Sequence, residues 1–271
     1  FAICLARGSE EFDVLGITTT YGNRPIDVTT ENTLKILEFI GREDIPVAKG
    51  RKKPMVKFYN PPEKSIVHGK DGLGDIENPL PKPKMTNVAT LIMTHPELMP
   101  KIKEIVMMGG STLKGNASPV SEANIMQDPE SAYVLFASGV PIKMACLDAT
   151  WKGYIGFDEL EEYKANGNSI SKVLCDMCGI YAEHYRERMK NPGLAMHDSM
   201  TLAWILKPEL VKCKDYYVTV DIDGRYTYGM TVTDVNNTLH KKPNAQVSLD
   251  VDRVPFIQMI KDAIEKLARN K

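Results

Sequence analysis

The sequence of 271 residues has few cysteines, no block of basic residues and no long apolar run. Its five cysteines are an odd, scattered set, which argues against a disulfide framework and is typical of reduced thiols. Lys and Arg total 34 against 35 Asp and Glu, which gives a net charge of −1. The sequence therefore does not predict the basic surface that nucleic-acid binding requires. No apolar stretch approaches the roughly 20 residues that cross a bilayer, and no charged-then-apolar leader opens the sequence. We therefore expect a cytoplasmic protein that binds neither nucleic acid nor membrane.

One cysteine pair, Cys175 and Cys178, has the C-x-x-C spacing of redox and metal sites. The pair lies in a helical pattern from Ser169 to Met189, and no second Cys or His pair stands at zinc spacing. Structural cysteines are usually buried and unreactive. We expect two packed helix thiols, with redox or metal chemistry as the alternative.

The dominant pattern is an alternation of strands and helices. Residues 12–20 are β-branched and apolar and lead to a Gly-Asn pair, which predicts a buried strand that runs into a turn. Residues 29–40 place apolar side chains on one helical face and stop at a glycine, so they predict a helix. Further strands are predicted at 45–48, 103–108 and 140–147, with a helix at 129–138 that Asp128 caps and Pro129 opens. This order predicts an α/β fold with an open, mainly parallel sheet and helices on both faces.

The last third of the chain has a different pattern. Two short strands, at 216–222 and 225–231, flank Asp223 and Gly224, which form a hairpin signal. A strand at 246–251 and an amphipathic helix at 253–268 follow. We expect a small antiparallel addition to the main sheet, and one domain over residues 1–271.

Four short polar stretches follow apolar runs, which is where sites form in such folds. They are residues 20–23, 67–74, 108–111 with the later Glu122 and Asn124, and 196–199. Glu122 and Asn124 are two residues apart, so an extended segment would point both side chains at one target, whereas a solvated loop is the alternative. Asn23 after Gly22 is equally an ordinary turn residue.

His197 and Asp198 stand at the start of a predicted helix, MTLAWIL. Asp198 can be the N-cap of this helix, with His197 merely preceding it. Alternatively, the pair supplies an oxygen ligand for a hard metal and an imidazole whose pKa lies close enough to neutrality to donate a proton. The local sequence does not decide between these two interpretations.

Taken in order, these stretches resemble the inosine-uridine type nucleoside hydrolases over nearly the whole chain. The strings that carry the resemblance are ITTTYGN, VTTENTLKILEFIGREDIPVAKG, VHGKDGLGD, TNVATLI, IKEIVMMGG, SEANIMQDPESA, LDAT, MHDSMTLAW and GMTVTD. Each string alone is weak, but the collinear set is specific. The resemblance implies a Rossmann-like nucleoside hydrolase fold and Ca²⁺-dependent hydrolysis of ribonucleosides such as inosine and uridine. It also implies a homodimer or homotetramer with a role in nucleoside salvage.

The implied site has a sugar side, a base side and a metal. The residues that would bind ribose are Asn23, Met108, Glu122 and Asn124. The residues that would border the base are His68, Tyr181 and Tyr185, with His197 as the general acid that protonates it. The ligands of Ca²⁺ would include Asp198 and the backbone carbonyl of Thr86. Because the two tyrosines are four residues apart, a helix would set them on one face, where they stack on a base or pack in the core.

Two departures from the family pattern concern segments that this sequence lacks. The family's D-x-D-x-x-x-D-D motif precedes the apolar run that begins here at Phe1, and it supplies most of the metal site and the catalytic base. Between Lys84 and Met85 the family has a further helix and buried strand, without which neighbouring strands would expose their backbone groups. We expect both segments to belong to the physical protein. A smaller departure is Ala123, where the family has an aromatic residue.

Two other function classes compete with hydrolysis. A non-catalytic relative could bind a nucleoside or ribose after loss of the metal site, although it would have no chemical need for His197. A dinucleotide-binding oxidoreductase shares the alternation of strands and helices. The first strand-to-helix turn reads YGNRP, however, without the G-x-G-x-x-G of that class.

Overall fold

The computed structural model describes residues 1–54, 56, 68–76 and 101–269. Up to the middle of the chain, the elements are α1 (Ala2–Gly8), β1 (Ile17–Thr19), α2 (Ile26–Phe39), β2 (Val47–Lys49), β3 (Ile105–Met108), α3 (Ala123–Gln127), α4 (Pro129–Ala137) and β4 (Ile142–Ala145). They are followed by α5 (Leu147–Thr150), β5 (Tyr154–Gly156), α6 (Phe157–Asn166), α7 (Ser169–Met177), α8 (Gly179–His184), a π-helical turn (Tyr185–Met189), β6 (Gly193–Ala195) and α9 (Ser199–Leu206). The remaining elements are a 3₁₀ turn (Pro208–Leu210), β7 (Val211–Tyr216), β8 (Val218–Val220), β9 (Thr231–Thr233), β10 (Ala245–Val251) and α10 (Arg253–Arg269).

The described strands combine parallel and antiparallel pairs. The largest sheet has the order β3-β4-β10-β7, in which β3, β4 and β10 are parallel and β7 is antiparallel to β10. β1 and β2 form a parallel pair, while β5–β6 and β8–β9 form antiparallel pairs. The predicted α/β fold with a mainly parallel, mixed sheet is confirmed.

Local sequence explains several of the helices. Asp128 caps α4 by accepting a hydrogen bond from the backbone N–H of Ser131 at 3.2 Å, and Pro129 is the first residue of that helix, as predicted. Along α10, apolar residues at helical spacing are buried, among them Phe256, Ile260 and Ile264. These side chains belong to the larger of two hydrophobic cores, which is built mainly by helices. The smaller core joins α4, β4, β8 and β10.

The predicted hairpin around Asp223 and Gly224 is wrong. β8 and β9 do pair, with Val220 opposite Thr231, but ten residues, 221–230, separate them. The carboxylate of Asp221 organises this loop by accepting the backbone N–H groups of Asp223 at 3.0 Å and Gly224 at 2.8 Å. A side chain that bonds the nearby backbone in this way competes with the two-residue turn that Asp-Gly otherwise favours.

The predicted helical run at 169–189 divides into α7, α8 and the π-helical turn. Cys175 and Cys178 lie at the C-terminal end of α7 as free cysteines, the first buried and the second half-buried. Burial raises the pKa of the Cys175 thiol to about 12 and that of Cys178 to about 11. Both thiols are therefore protonated and unreactive near neutral pH, as expected of packed helix cysteines. Within the described part of the chain, no helix is long and apolar enough to cross a membrane.

Candidate active site

Nine of the ten candidate residues lie within the described parts of the chain, and Thr86 lies outside them. Asn23 follows the carboxyl end of β1, and Met108 is the last residue of β3. Met108 pairs with Ala145, where the parallel strand β4 ends. The carboxyl ends of parallel strands thus carry the first candidates, as expected for an α/β fold.

One group of residues, the glutamate cluster, consists of the candidates Met108, Glu122 and Asn124 together with Gly110. Glu122 is 2% exposed and is the N-cap of α3. Its Oε1 accepts the backbone N–H of Asn124 at 2.9 Å, and its Oε2 accepts those of Gly110 and Ile125 at 3.1 Å each. The carboxylate therefore fixes the loop after β3 to the start of α3.

The expectation of an extended segment at Glu122 and Asn124 is wrong, because Asn124 lies in the first turn of α3. A carboxylate that satisfies free N–H groups favours a helix start at this position. The Asn124 amide donates to the backbone oxygen of Met108 at 3.3 Å and contacts the Met108 sulfur at 3.1 Å. Glu122 and Asn124 are therefore brought together by a helix start, and both are tied to the end of β3.

The remaining candidates except Asp198 form a continuous series of contacts that we call the imidazole–tyrosine chain: Asn23, His68, Tyr181, Tyr185 and His197. The Asn23 amide nitrogen lies 3.0 Å from His68 Nε2. The His68 ring stacks on Tyr181 with centroids 5.3 Å apart. The Tyr181 hydroxyl donates to the Tyr185 hydroxyl, which lies 3.2 Å from His197 Nε2. Residues that are far apart in the sequence thus line one path from the end of β1 to the start of α9.

The loop of residues 68–76 brings His68 to Tyr181. Gly74 has φ +83°, and a Cβ there would lie 2.4 Å from the backbone oxygen of Met177, at the end of α7. Glycine permits both this conformation and this close approach. The Asn32 side chain of α2 donates to the Asp71 backbone oxygen at 2.9 Å. The loop is thereby anchored both to α7 and to α2.

Tyr181 and Tyr185 lie on the same helical face, as predicted, although α8 ends at His184 and Tyr185 begins the π-helical turn. Their ring centroids are 4.3 Å apart. Tyr185 is 5% exposed and belongs to the larger core, whereas Tyr181 is half-buried against it. Burial raises the pKa of both hydroxyls, so both keep their protons near neutral pH. The two tyrosines therefore pack against the larger core and also link their hydroxyls by hydrogen bonds to His197.

His197 is held from two directions by α5 and the residue that follows it. Its Nδ1 lies 2.8 Å from the Thr150 hydroxyl oxygen. The Trp151 ring meets the imidazole edge-on, with centroids 5.0 Å apart and planes at 80°. Burial lowers the pKa of His197 to about 4, which contradicts the expectation of a pKa near neutrality. The imidazole is therefore neutral in the free protein at neutral pH.

Asp198 occupies the N-cap position of α9, as predicted, but its side chain makes no capping hydrogen bond. Its φ of −68° and ψ of −32° are already helical, which is unlike the extended backbone of a capping residue. The residue remains accessible to solvent, while the surrounding protein raises the pKa of its carboxyl. That combination is typical of a carboxylate that lines a cleft. The negative charge of Asp198 also helps raise the pKa of Glu122, after the larger effect of burial.

Three residues near these groups were not predicted: Asn116, Thr150 and Trp151. The Asn116 side chain accepts the backbone N–H of Ala123 at 2.9 Å, so it lies against the glutamate cluster. Asn116 and Trp151 line one cavity of about 380 Å³, which other side chains such as Leu147 also border. The string LDAT, which contains Thr150, carries part of the resemblance but gives no sign of a contact with His197. A contact across 47 residues of sequence leaves no local signal.

Comparison with known proteins identifies the family. The family model described as inosine-uridine preferring nucleoside hydrolase matches residues 1–85 and 83–258. The chain belongs to this family. It is a nucleoside hydrolase, an enzyme that hydrolyses the N-glycosidic bond of ribonucleosides. This confirms the resemblance and the predicted class of enzyme.

Individual relatives of the enzyme support the same assignment. The chain is 37% identical to the pyrimidine-specific ribonucleoside hydrolase RihA of Citrobacter koseri, over 97% of this chain and 93% of the relative. It is 38% identical to the RihA protein of Escherichia coli O1:K1, over 97% and 94%. Among solved structures, a purine-preferring ribonucleoside hydrolase from Gardnerella vaginalis superposes with a TM-score of 0.90 at 29% identity, over 100% of this chain and 95% of that one. The plant nucleoside hydrolase PpNRh1 superposes with a TM-score of 0.90 at 28% identity, over 97% and 94%.

Proposed function

We propose that this nucleoside hydrolase accepts uridine and inosine, prefers pyrimidine ribonucleosides, and uses His197 to protonate the departing base. The observation that carries the proposal is the continuous imidazole–tyrosine chain, which ends at His197. Within the imidazole–tyrosine chain, His68, the ring of Tyr181 that can stack on a base, and the proposed acid His197 border one path. The glutamate cluster follows the carboxyl end of β3, and the ribose would bind there.

On the sugar side, Glu122 keeps capacity for a ligand despite its three backbone bonds. Its Oε1 accepts only one hydrogen bond among the described residues. A carboxylate oxygen accepts two, so Oε1 can take a ribose hydroxyl as well. Asn23 and Asn124 offer exposed amides, and Met108 offers an apolar wall beside them. These four residues suit a ring that carries hydroxyls on an apolar frame.

On the base side, the low pKa of His197 must be reconciled with proton donation. Breaking the C1′–N bond sends its electron pair to the base, which becomes negatively charged. A negative charge beside an imidazole favours the protonated form, and thus opposes the effect of burial. His197 takes up a proton from solvent in the substrate complex and gives it to the base, water adds its hydroxyl to C1′, and the remaining proton of that water replaces the one taken from solvent. General acids of this kind typically contribute about 10²- to 10⁴-fold to the rate.

Calcium is the cofactor that the resemblance implies, and Asp198 fits one ligand position for it. Its carboxylate is accessible and has no hydrogen bond or ion pair from the described side chains. Ca²⁺ binds six to eight oxygens, and no group of three or more His, Cys, Asp or Glu side chains that could hold a metal occurs within the described ranges. A bound Ca²⁺ would orient ribose hydroxyls and lower the pKa of a water molecule. The identity of the metal stays a prediction, as do the cytoplasmic location and the homo-oligomer.

The pyrimidine preference rests on the comparison of relatives. The proteins named pyrimidine-specific are 37–38% identical to this chain, whereas the structure named purine-preferring is 29% identical. Measured values of kcat/KM for uridine, cytidine, inosine and adenosine test this part. A higher value for inosine than for uridine would overturn the preference, but not the hydrolysis itself.

Ribose release from uridine and inosine tests the role of His197. We expect His197→Gln to lower kcat by about 10²- to 10⁴-fold, while His240→Gln, at an exposed loop histidine, leaves it unchanged. Equal turnover of His197→Gln and the wild type would refute the role of His197. Binding of uridine without any hydrolysis by the wild type would instead favour a non-catalytic relative.

A further inference from the structure

Thr150 is fully buried, with 0% of its surface exposed, at the end of α5. Its backbone N–H bonds to the Cys146 backbone oxygen at 3.0 Å within that helix. Its hydroxyl lies 2.8 Å from His197 Nδ1, which is its hydrogen-bond partner among the described residues. A buried hydroxyl is costly unless it is bonded, so this contact is a fixed part of the fold.

The contact defines which way the imidazole faces. Nδ1 is occupied by Thr150, and Nε2 lies 3.2 Å from the Tyr185 hydroxyl. The Trp151 ring borders a third side of His197. A histidine side chain can otherwise turn about its last torsion and exchange the two nitrogen positions. With Thr150 in place, Nε2 is the nitrogen that faces the imidazole–tyrosine chain.

We infer that Thr150 is the positioning residue for His197, whose hydroxyl keeps Nε2 directed toward Tyr185 and the departing base. This inference rests on the proposed role of His197. Nε2 takes up a proton from solvent in the substrate complex and passes it to the base nitrogen that receives the electron pair of the C1′–N bond. The attacking water leaves its hydroxyl on C1′ and releases its other proton, so no reactant besides water is needed. The partner of the nitrogen that does not react sets the geometry of the one that does.

The test compares Thr150→Val, which keeps the shape but removes the hydroxyl, with Thr150→Ser, which restores it. Thr30→Val is the matched control, because Thr30 is also buried and bonds Thr19 and the Ile26 backbone oxygen. The substrates are uridine and p-nitrophenyl β-D-ribofuranoside, whose leaving group departs without protonation. Thermal unfolding of each variant checks the fold, and Thr150→Ala replaces Thr150→Val if the valine variant does not fold.

We expect Thr150→Val to lower kcat for uridine by about 10- to 100-fold, with KM and turnover of the p-nitrophenyl riboside nearly unchanged. Thr150→Ser should recover most of the loss, and Thr30→Val should show none. Nitrogen NMR of ¹⁵N-histidine protein, assigned through His197→Gln, should show one tautomer in the wild type and a mixture in Thr150→Val. A structural role alone would leave the tautomer unchanged and would not separate the two substrates.

Three outcomes would overturn the inference. They are an unchanged uridine kcat in Thr150→Val, an equal loss on both substrates, or failure of serine to rescue. The His197→Gln variant shows whether such an outcome contradicts only the role of Thr150 or also the proposed role of His197. If His197→Gln loses uridine turnover selectively while Thr150→Val does not, only the role of Thr150 is refuted. If His197→Gln turns over uridine as the wild type does, the role of His197 as the acid is refuted, and the role of Thr150 with it.

Discussion

The glutamate cluster and the imidazole–tyrosine chain hold their side chains by different means. Glu122 bonds three backbone N–H groups, so the main chain itself fixes the sugar side. The imidazole–tyrosine chain depends on contacts between side chains, such as Tyr181 with Tyr185 and His68 with Asn23. Ribose is common to all ribonucleosides, whereas the base varies. In the proposed assignment, the part fixed by the main chain would hold the constant half of the substrate, and most of the side-chain part would border the variable half.

The negative charge of Asp198 contributes to the raised pKa of a group in each region, Glu122 and Tyr181. We expect Asp198→Asn to have the largest effect, a loss of about 10³-fold in kcat/KM for every nucleoside, because Asp198 is proposed to ligate the metal and such carboxylates contribute several kcal/mol. Ribose release with and without a chelator and added Ca²⁺ is the measurement. The control is Asp262→Asn, at an exposed position of α10. A loss confined to one class of base would place Asp198 on the base side alone.

Glu122→Ala tests the rigidity of the sugar side. It leaves three backbone N–H groups without their acceptor, and each costs about 1 kcal/mol or more when buried. We expect the free energy of unfolding to fall by roughly 3 kcal/mol in urea titrations. Tyr185→Phe, which removes the side-chain hydrogen bonds of its hydroxyl with Tyr181 and His197, should cost only about 1–2 kcal/mol. Equal losses would remove the distinction between the two regions.

The pH dependence of stability tests the burial of His197. Its pKa falls from about 6.5 in the unfolded chain to about 4 in the fold. The unfolded state therefore binds the proton first, and stability is lost as the pH falls through this window. Between pH 7 and pH 5 the wild type should lose about 2 kcal/mol more than His197→Gln in urea unfolding. Glu122 and Asp198, whose pKa values are raised, act in the opposite direction in both proteins. Identical losses would mean that the imidazole is not buried in its neutral form.

Tyr181→Phe should have the smallest effect on overall rate. It removes the hydroxyl that bonds Tyr185 but keeps the ring that stacks on His68. One such bond is worth about 1 kcal/mol, so kcat/KM should fall by roughly fivefold, and by different factors for uridine and inosine. The matched control is Tyr163→Phe, because the buried Tyr163 hydroxyl has no partner within the described residues. An unchanged ratio of uridine to inosine would contradict the assignment of this region to the base.

Periodicity in the sequence predicted the elements that local residues determine. The cap at Asp128, the apolar face of α10 and the strands β3, β4 and β10 follow from neighbours in the chain. The division of residues 169–189 was not predictable, because helical spacing continues through it. The Asp221 loop was missed because a side chain outcompeted the turn signal.

The polar stretches singled out Asn23, Glu122, Asn124, His197 and Asp198 with open alternatives. The resemblance assigned their roles and added the other candidates, but no single stretch implies their mutual contacts. Thr150 and the low pKa of His197 both arise from burial between distant segments. No local pattern records them, because burial depends on what the rest of the fold packs around a residue.

The hydrogen bond between Asn23 and His68 joins a predicted sugar contact to a predicted base contact. A ribose hydroxyl that draws Asn23 away changes the partner left for His68, and a base that moves His68 changes what Asn23 can offer. Such coupling is reciprocal by thermodynamic necessity. The factor by which free ribose alters the affinity for a free base must therefore equal the factor by which that base alters the affinity for ribose. The two products of one reaction would then influence each other's departure.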